Sequence, residues 1–342
     1  MRPLVTIVMP AYNVAPYVGD AIRSVVNQTY PRWELMAVDD GSADGSIDVI
    51  RSFRDDRIKP IRLEPNQGVA AARNRAITEG RGDYFALLDA DDTMDPTRLE
   101  RQVRFMEHRQ DVALSGGWCG TMAADGTPGA NTFTSHIDPR AVNPSLVFGN
   151  VFCTSSLMMR RNAVPEGGFR QQYAEDYDLL VRVAEKHRLA IMEEILVHYR
   201  LRPGSAMRTY ALDTKTRDVW QSQQPLFKAL GITPSEEERD IHLFARTNEG
   251  NVDGAQLRAI SRWYEKLVEA NRQSGRYPDH SFRLAASYML FAQLFRATGC
   301  GVEALRTYFG KSMSREHPQP FILWAKFMAK AAIGREFAKE RR

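Results

Sequence analysis

Carboxylates gather in three places along this chain of 342 residues: Asp39-Asp40-Gly41-Ser42, Asp89-Ala90-Asp91-Asp92 and Glu175-Asp176. Clustered carboxylates are costly, because like charges repel and lose hydration. At the first two clusters a divalent cation and a polar nucleotide would offset that cost. A carboxylate further along the chain is then free to act as a base. This is the layout of a metal-dependent transferase working on a nucleotide-activated substrate.

Each cluster has a chemical reading and a plainer one. In Asp39–Ser46 an acidic acceptor at a strand-to-helix turn suits a pyrimidine ring N–H or ribose hydroxyls. The same block also serves as a polar turn with a helix cap at Asp44 or Ser46. In Asp89-Ala90-Asp91-Asp92 the alternation of an extended segment points Asp89 and Asp91 the same way. Hard oxygen ligands at that density suit Mg²⁺ or Mn²⁺ bridging a diphosphate. The plainer reading is an acidic cap for the helix at Pro96, a role Asp95 already fills. Glu175-Asp176 opens an amphipathic helix, where carboxylates also favour the dipole. Arg73 and Arg75 ride on an Ala-rich helix that packs closely. Among the seven histidines only His198 lies near a motif, on a predicted strand, and it reads as a core or surface histidine rather than a metal ligand.

The elements that must position these groups alternate through the first hundred residues. Strands are predicted at Leu4–Met9, Glu34–Val38, Ile58–Leu63 and Tyr84–Leu88. Helices are predicted at Tyr17–Gln28, Ser46–Phe53, Gly68–Thr78 and Pro96–His108, the last with proline in its first turn. Such alternation implies a doubly wound, mostly parallel α/β sheet with ligands at the carboxyl ends of its strands. From Val112 to Tyr210 the pattern is mixed, with strands at Val112–Trp118, Leu157–Arg160 and Ile191–Tyr199. A hairpin turn falls at Asp125-Gly126, and a helix at Asp176–His187. After Tyr210 alternation stops, so the expected domains are 1–210 and a helical appendage, 211–342.

Bulk properties narrow the class. Hydrophobic residues make up 43%, ordinary for a globular chain. Three cysteines, Cys119, Cys153 and Cys300, are odd in number and widely spaced with no CxxC pair. They argue against a disulfide framework or a zinc site and for a reducing cytoplasm. No signal peptide or transmembrane run is read. The formal net charge is +4. Between Phe321 and Arg342 six basic residues stand against two acidic ones, which accounts for all of it. A diffuse nucleic-acid face is therefore not expected.

In order and spacing the motifs resemble the family 2 glycosyltransferases, inverting enzymes of the GT-A fold. The matching pieces are Val5–Asn13, Asp39–Ser46, Asn66-Gln67-Gly68 with Ala72-Arg73-Asn74, Asp89–Asp92, Glu175–Leu179, and Tyr199-Arg200 ahead of Gly204-Ser205. The resemblance covers residues 4 to about 207. It implies a nucleotide-sugar-binding half at about 1–110 and an acceptor half at about 111–210. It also implies roles. Pro10, Ala11 and Tyr12 line the base, and Asp40 accepts from a uracil ring. Arg73 lies near the nucleotide, with Asp89 and Asp91 as the Asp-X-Asp pair. Asp91 or Asp92 reaches Mn²⁺ or Mg²⁺, and Asp176 is the base. Cys153–Arg161 and Gly167–Tyr173 border the acceptor. The implied donor is a UDP-sugar and the implied acceptor a saccharide or lipid-linked saccharide of bacterial surface polysaccharide or lipopolysaccharide assembly. The transferred group would be a hexose or N-acetylhexosamine. Arg202 departs from the pattern, since many relatives carry histidine there.

Two other readings compete. A sugar nucleotidyltransferase would want a glycine-rich, basic loop after the first strand, where this chain has Pro10–Pro16. A non-catalytic nucleotide-sugar-binding protein would not need the base and metal residues. The segment 321–342, apolar and then basic, is expected either to pack as a terminal helix or to hold the chain peripherally on an anionic, cytoplasmic membrane face.

Overall fold

The computed structural model describes residues 2–171, 173–202, 212–246, 250–297, 300 and 302–310. The segment 321–342 lies outside the described residues. Two compact units are present. Among the described residues, one comprises those within 2–136 and 151–222, the other those within 137–150 and 223–310. The sequence reading put the division near residue 210 and left the short segment Ile137–Asn150 with the sheet.

The sheet unit is built on runs that are buried on both faces. β1 (Val5–Ala11) and β2 (Trp33–Asp39) are almost wholly enclosed, as expected for parallel strands covered by helices. β1 pairs in parallel with β2 and with β4 (Tyr84–Leu87), and β2 with β3 (Ile58–Arg62). The crossovers are α1 (Ala15–Val26), α2 (Ser46–Ser52) and α3 (Val69–Glu79). α1 takes Pro16 in its first turn and buries Val18, Ala21, Ile22 and Val25 against the sheet.

The rest of the sheet is mixed. β5 (Thr93–Met94) pairs antiparallel with the long β9 (Arg188–Leu201). β6 (Val112–Ala123) runs parallel to β9 and antiparallel to β8 (Met158–Arg160) and to β7 (Pro128–Phe133). The order is β3-β2-β1-β4-β8-β6-β9-β5, with β7 on β6. The Asp125-Gly126 turn joins β6 to β7 as expected. Gly126 takes the left-handed conformation (φ 89°), and Asp125 accepts from the Thr127 N–H at 2.9 Å. α4 (Arg98–His108) and α6 (Glu175–Ala184) complete the unit's main helices, both with buried apolar faces.

One expectation is corrected. Cys119, on β6, and Cys153 are joined as a disulfide, leaving Cys300 as the free cysteine. Spacing of 34 residues hides what the sheet brings side by side. A reducing compartment therefore no longer follows from cysteine usage.

In the second unit, α5 (Val142–Ser145) is followed by α8 (Glu236–Arg246), α9 (Gly254–Ser274), α10 (Asp279–Leu294) and α11 (Val302–Phe309). A further helix, α7, spans Leu212–Ala229. α9 begins with a full capping box between Asp253 and Gln256 and ends on Gly275 in the left-handed conformation. Phe148 packs edge-on to Tyr264 and against Phe282, fixing the 137–150 segment to this core. No described helix is long and apolar enough to cross a membrane.

Candidate active site

Register sets the site. Ala11 pairs with Asp39, and the Asp40 N–H donates to the Ala11 carbonyl at 2.8 Å. The Leu88 N–H donates to Val8 at 3.1 Å. The Asp39–Ser46 and Asp89–Asp92 loops therefore leave the carboxyl ends of neighbouring parallel strands, where ligands of such sheets bind.

The first loop is pinned by its own polar groups. Ser42 Oγ accepts from the Asn13 N–H (3.0 Å) and Ser46 Oγ from the Val14 N–H (2.9 Å). Asp44 takes the Ala15 N–H (2.9 Å) and the Ser46 N–H (3.0 Å). Above this staple Tyr12 stands half exposed, at 51%. Asp40, expected to accept from a base, is held by backbone donors. It is buried, and its two oxygens accept from the N–H groups of Gln67 and Gly68, each at 2.8 Å. It shapes the turn into α3, where Gly68 has φ 90°. Beside it Asp39 is fully buried, with Arg62 Nε at 3.7 Å.

The second cluster is organised by arginines. Arg73, expected near the nucleotide, is buried on α3. Its Nη2 donates to Asp89 Oδ1 at 2.7 Å, and its Nη1 pairs with Glu175 Oε1. Burial alone would favour the neutral guanidine, but Asp89, Glu175 and Asp176 together hold Arg73 firmly cationic. Burial raises Glu175 to about 7, against the pull of Arg73 and with a push from Asp176. Asp176 follows at the second position of α6, where its Oδ1 takes the Tyr177 N–H at 2.7 Å and Thr154 Oγ1 donates to its Oδ2. One guanidinium thus draws together the Asp89 carboxylate and the start of the helix that carries Asp176.

Asn74, next to Arg73, fixes the loop at Gly168-Phe169. Its amide donates to the Phe169 carbonyl (2.9 Å) and accepts from the Phe169 N–H (2.8 Å). Gly168 (φ 56°) allows that approach, because a Cβ there would lie 2.2 Å from Asn74 Oδ1.

Asp91 and Asp92 diverge. Asp91 Oδ2 takes Arg202 Nε at 2.6 Å. Asp92 is enclosed, with Ser155 Oγ on one oxygen (2.5 Å) and the Arg200 N–H on the other (2.9 Å). Burial and the neighbouring aspartates raise both carboxyls above the usual range. Arg200 is anchored by the Asp91 carbonyl (2.7 Å), the Ala124 carbonyl (3.0 Å) and Asp20 (3.0 Å). Arg98, fully buried on α4, donates to the Leu87 and Leu157 carbonyls, and burial lowers it to about 9 despite the nearby Asp92. Both oxygens of Asp92 are thus held by the protein, and one oxygen of Asp91 by Arg202. Among the described residues no group of three or more His, Cys, Asp or Glu side chains could hold a metal ion. A single carboxylate does fit a Mg²⁺-type cation whose other ligands are diphosphate oxygens and water.

Thr154 and Ser155 were missed as individual residues in the sequence. Both belong to the 3₁₀ turn Thr154–Ser156, inside the segment expected to border the acceptor. Their hydroxyls reach carboxylates 22 and 63 residues away, and only the fold brings them together. His198 lies on β9. It pairs across to Thr93, and its ring fills the space beside Gly120.

Comparison with known proteins agrees with this frame. Residues 6–166 match the model of the family described as "Glycosyl transferase family 2". A putative teichuronic acid biosynthesis glycosyltransferase of Bacillus subtilis (strain 168), TuaG, is 42% identical over 129 residues, 37% of this chain and 51% of that protein. The chain thus spans about half the length of that relative. The Escherichia coli protein WfaP, named as a UDP-Glc:alpha-D-GlcNAc-diphosphoundecaprenol beta-1,3-glucosyltransferase, is 30% identical over 205 residues, 59% of this chain and 79% of that one. Among solved structures, S. aureus TarS 1-349 in complex with UDP-GlcNAc superposes with a TM-score of 0.57 at 15% identity, covering 85% of this chain and 90% of that one. The fold is of the GT-A type, α/β with C-terminal helices. The chain belongs to the family 2 glycosyltransferases.

Proposed function

We propose that this chain is an inverting glycosyltransferase that moves a hexosyl or N-acetylhexosaminyl group from a nucleotide sugar, a UDP-sugar, to an acceptor hydroxyl in the assembly of a bacterial surface polysaccharide. The observation that carries the reading is the convergence of Asp89 and Glu175 on Arg73, with Asp176 next in line on α6. A donor-side carboxylate and an acceptor-side helix are thereby held at one place. The names of the TuaG and WfaP relatives support the surface-polysaccharide setting, and the WfaP name supports a UDP donor and a lipid-linked acceptor.

In the reaction an acceptor oxygen attacks the anomeric carbon while Asp176 takes its proton. The bond from the anomeric carbon to the diphosphate oxygen breaks, and its electron pair leaves with the nucleoside diphosphate. Thr154 holds one oxygen of Asp176, which leaves the carboxylate oriented for the incoming proton. Proton removal by such a base contributes about 10²–10⁴-fold. Tyr12 offers an exposed ring to the base. Asp91 would hold Mn²⁺ or Mg²⁺, and that cation would supply positive charge beside the leaving diphosphate. The reading includes work at the cytoplasmic membrane face, where lipid-linked acceptors are found.

A thermal-shift panel tests the proposal. UDP, GDP, dTDP and CMP, with their sugars, are added with and without Mn²⁺. Ligand linkage raises the midpoint for the uridine compounds. A shift only with guanosine or thymidine compounds contradicts the UDP donor. No shift with any of them contradicts the nucleotide-sugar reading.

A further inference from the structure

The helix that carries Asp176 opens from an unusual stretch of backbone. Ala174, immediately before α6, has φ 59° and ψ 26°, the left-handed conformation. A residue with a Cβ takes that conformation at a cost, and alanine has no polar side chain to bond locally in return. Neighbouring contacts must therefore hold the turn. On one side Glu175 is paired with Arg73. On the other side the hold comes from α7.

Asp218, on α7, is buried, with 4% of its side chain exposed. Its Oδ2 accepts from the Tyr173 N–H at 2.9 Å. Its Oδ1 takes Arg217 Nε at 3.0 Å, but the Arg217 side chain is 57% exposed, so that pair is screened by water. A buried carboxylate needs donors, and the Tyr173 N–H is one that the backbone fixes in place. Lys215 and Ser222 stand on the same face of α7, at helical spacing from Asp218. Lys215 Nζ lies 5.8 Å from the centre of the Tyr173 ring, and Ser222 Oγ lies 3.4 Å from Gln171 Oε1. One face of α7 thus backs the chain as it enters α6. Tyr173 and Asp218 both lie beyond residue 166, where the family match ends.

Resting on the assignment of Asp176 as the base, we propose that Asp218 is a positioning residue for it. By holding the Tyr173 N–H, Asp218 keeps Ala174 left-handed. That fixes where α6 begins, and with it the carboxylate that Thr154 orients. α7 is then part of what the reaction needs rather than an appendage.

Hydrogen exchange read by mass spectrometry on the full chain tests this without a substrate. Asp218→Ala removes the acceptor. Exchange across residues 173–178 should speed up about tenfold, the scale of one lost charge-assisted hydrogen bond, with β1 and β2 unchanged. Asp218→Asn keeps an acceptor oxygen and should stay within about twofold of the unaltered chain. Ala174→Gly, added to Asp218→Ala, should recover part of the protection, because glycine takes the left-handed conformation without the steric cost. UDP released from UDP-glucose or UDP-N-acetylglucosamine, with water in the acceptor's place, gives a second readout. In Asp218→Ala kcat should fall about tenfold with KM for the UDP-sugar unchanged, and Asp218→Asn should restore it.

Unchanged exchange across 173–178 in Asp218→Ala overturns the inference and leaves the glycosyltransferase reading intact. So does a rise shared equally by β1 and β2, which would make Asp218 a residue of general stability. Local loosening with kcat unchanged, or no recovery on adding Ala174→Gly, overturns it as well. If the unaltered chain releases no UDP from either sugar, it is the donor reading that falls, and exchange alone decides whether Asp218 sets the start of α6.

Discussion

In the sheet unit one cluster of buried polar groups is charged and crowded. Arg73, Arg98 and Arg200 are enclosed together with Asp92 and Glu175, and burial raises the carboxyls while lowering Arg98. In the helical unit the most enclosed polar network is neutral. His242 is fully buried, its Nδ1 takes the Trp263 indole N–H at 2.9 Å, and its Nε2 lies 2.6 Å from the Gln223 side chain. An indole can only donate, so Nδ1 accepts and Nε2 carries the hydrogen, for which the Gln223 amide must present its oxygen. Burial, with help from Arg246, lowers His242 to about 3. The neutral network specifies packing. The charged one balances only as a set.

Removing Arg73 should have the largest effect. Arg73→Ala leaves Asp89 and Glu175 without their shared cation, a loss of about 3–5 kcal/mol for a broken buried pair. Urea denaturation should show it, and transfer should vanish. Arg73→Lys keeps one charge but not the fork, and should recover part of the stability. A near-neutral Arg73→Ala variant would mean that the cluster is held together by other groups.

The helical unit should answer to pH instead. The folded state holds His242 neutral, so between its ordinary value near 6.5 and about 3 only the unfolded chain takes up the proton. This contribution is complete above pH 6.5 and is lost as pH falls through that window, by at most about 1.4 kcal/mol per unit. Other groups titrate there too, so the comparison is with His242→Gln, which cannot titrate. Wild-type stability should fall more steeply than that of the variant between pH 6.5 and 4. Parallel curves would show that His242 is not held neutral.

The smallest of these effects should come from Thr154→Val. It removes the hydroxyl on Asp176 and should lower kcat about tenfold with KM unchanged, while Thr154→Ser restores it. A change in KM alone would make Thr154 a substrate contact rather than a support of the base.

Much of the sheet unit is legible in the sequence, because its signals are local. Buried runs such as Val5–Ala11, helical periods such as Val18–Ile22–Val25 and the Asp-Gly turn each state their own conformation. The carboxylates are legible as chemistry because they fall where those runs end. Their partners are not, since each is set by long-range packing. Asp40 is taken up by the N–H groups of Gln67 and Gly68, Asp92 by Ser155 and Arg200, and Cys119 by Cys153. No local pattern marks Ile137–Asn150 as part of the helical unit. Its assignment rests on Phe148 meeting Tyr264 and Phe282, more than a hundred residues on.

The most direct test of the account is transfer by Asp176→Asn. The substitution removes the proton acceptor with little change in shape and leaves Arg73, Asp89 and Glu175 in place. UDP-sugar affinity, measured by calorimetry, should be kept while turnover drops by about two orders of magnitude or more. The wild-type product should be inverted at the anomeric carbon by NMR. Near-normal turnover in Asp176→Asn, or retention of anomeric configuration, would contradict the assignment of Asp176 as the base of a single displacement.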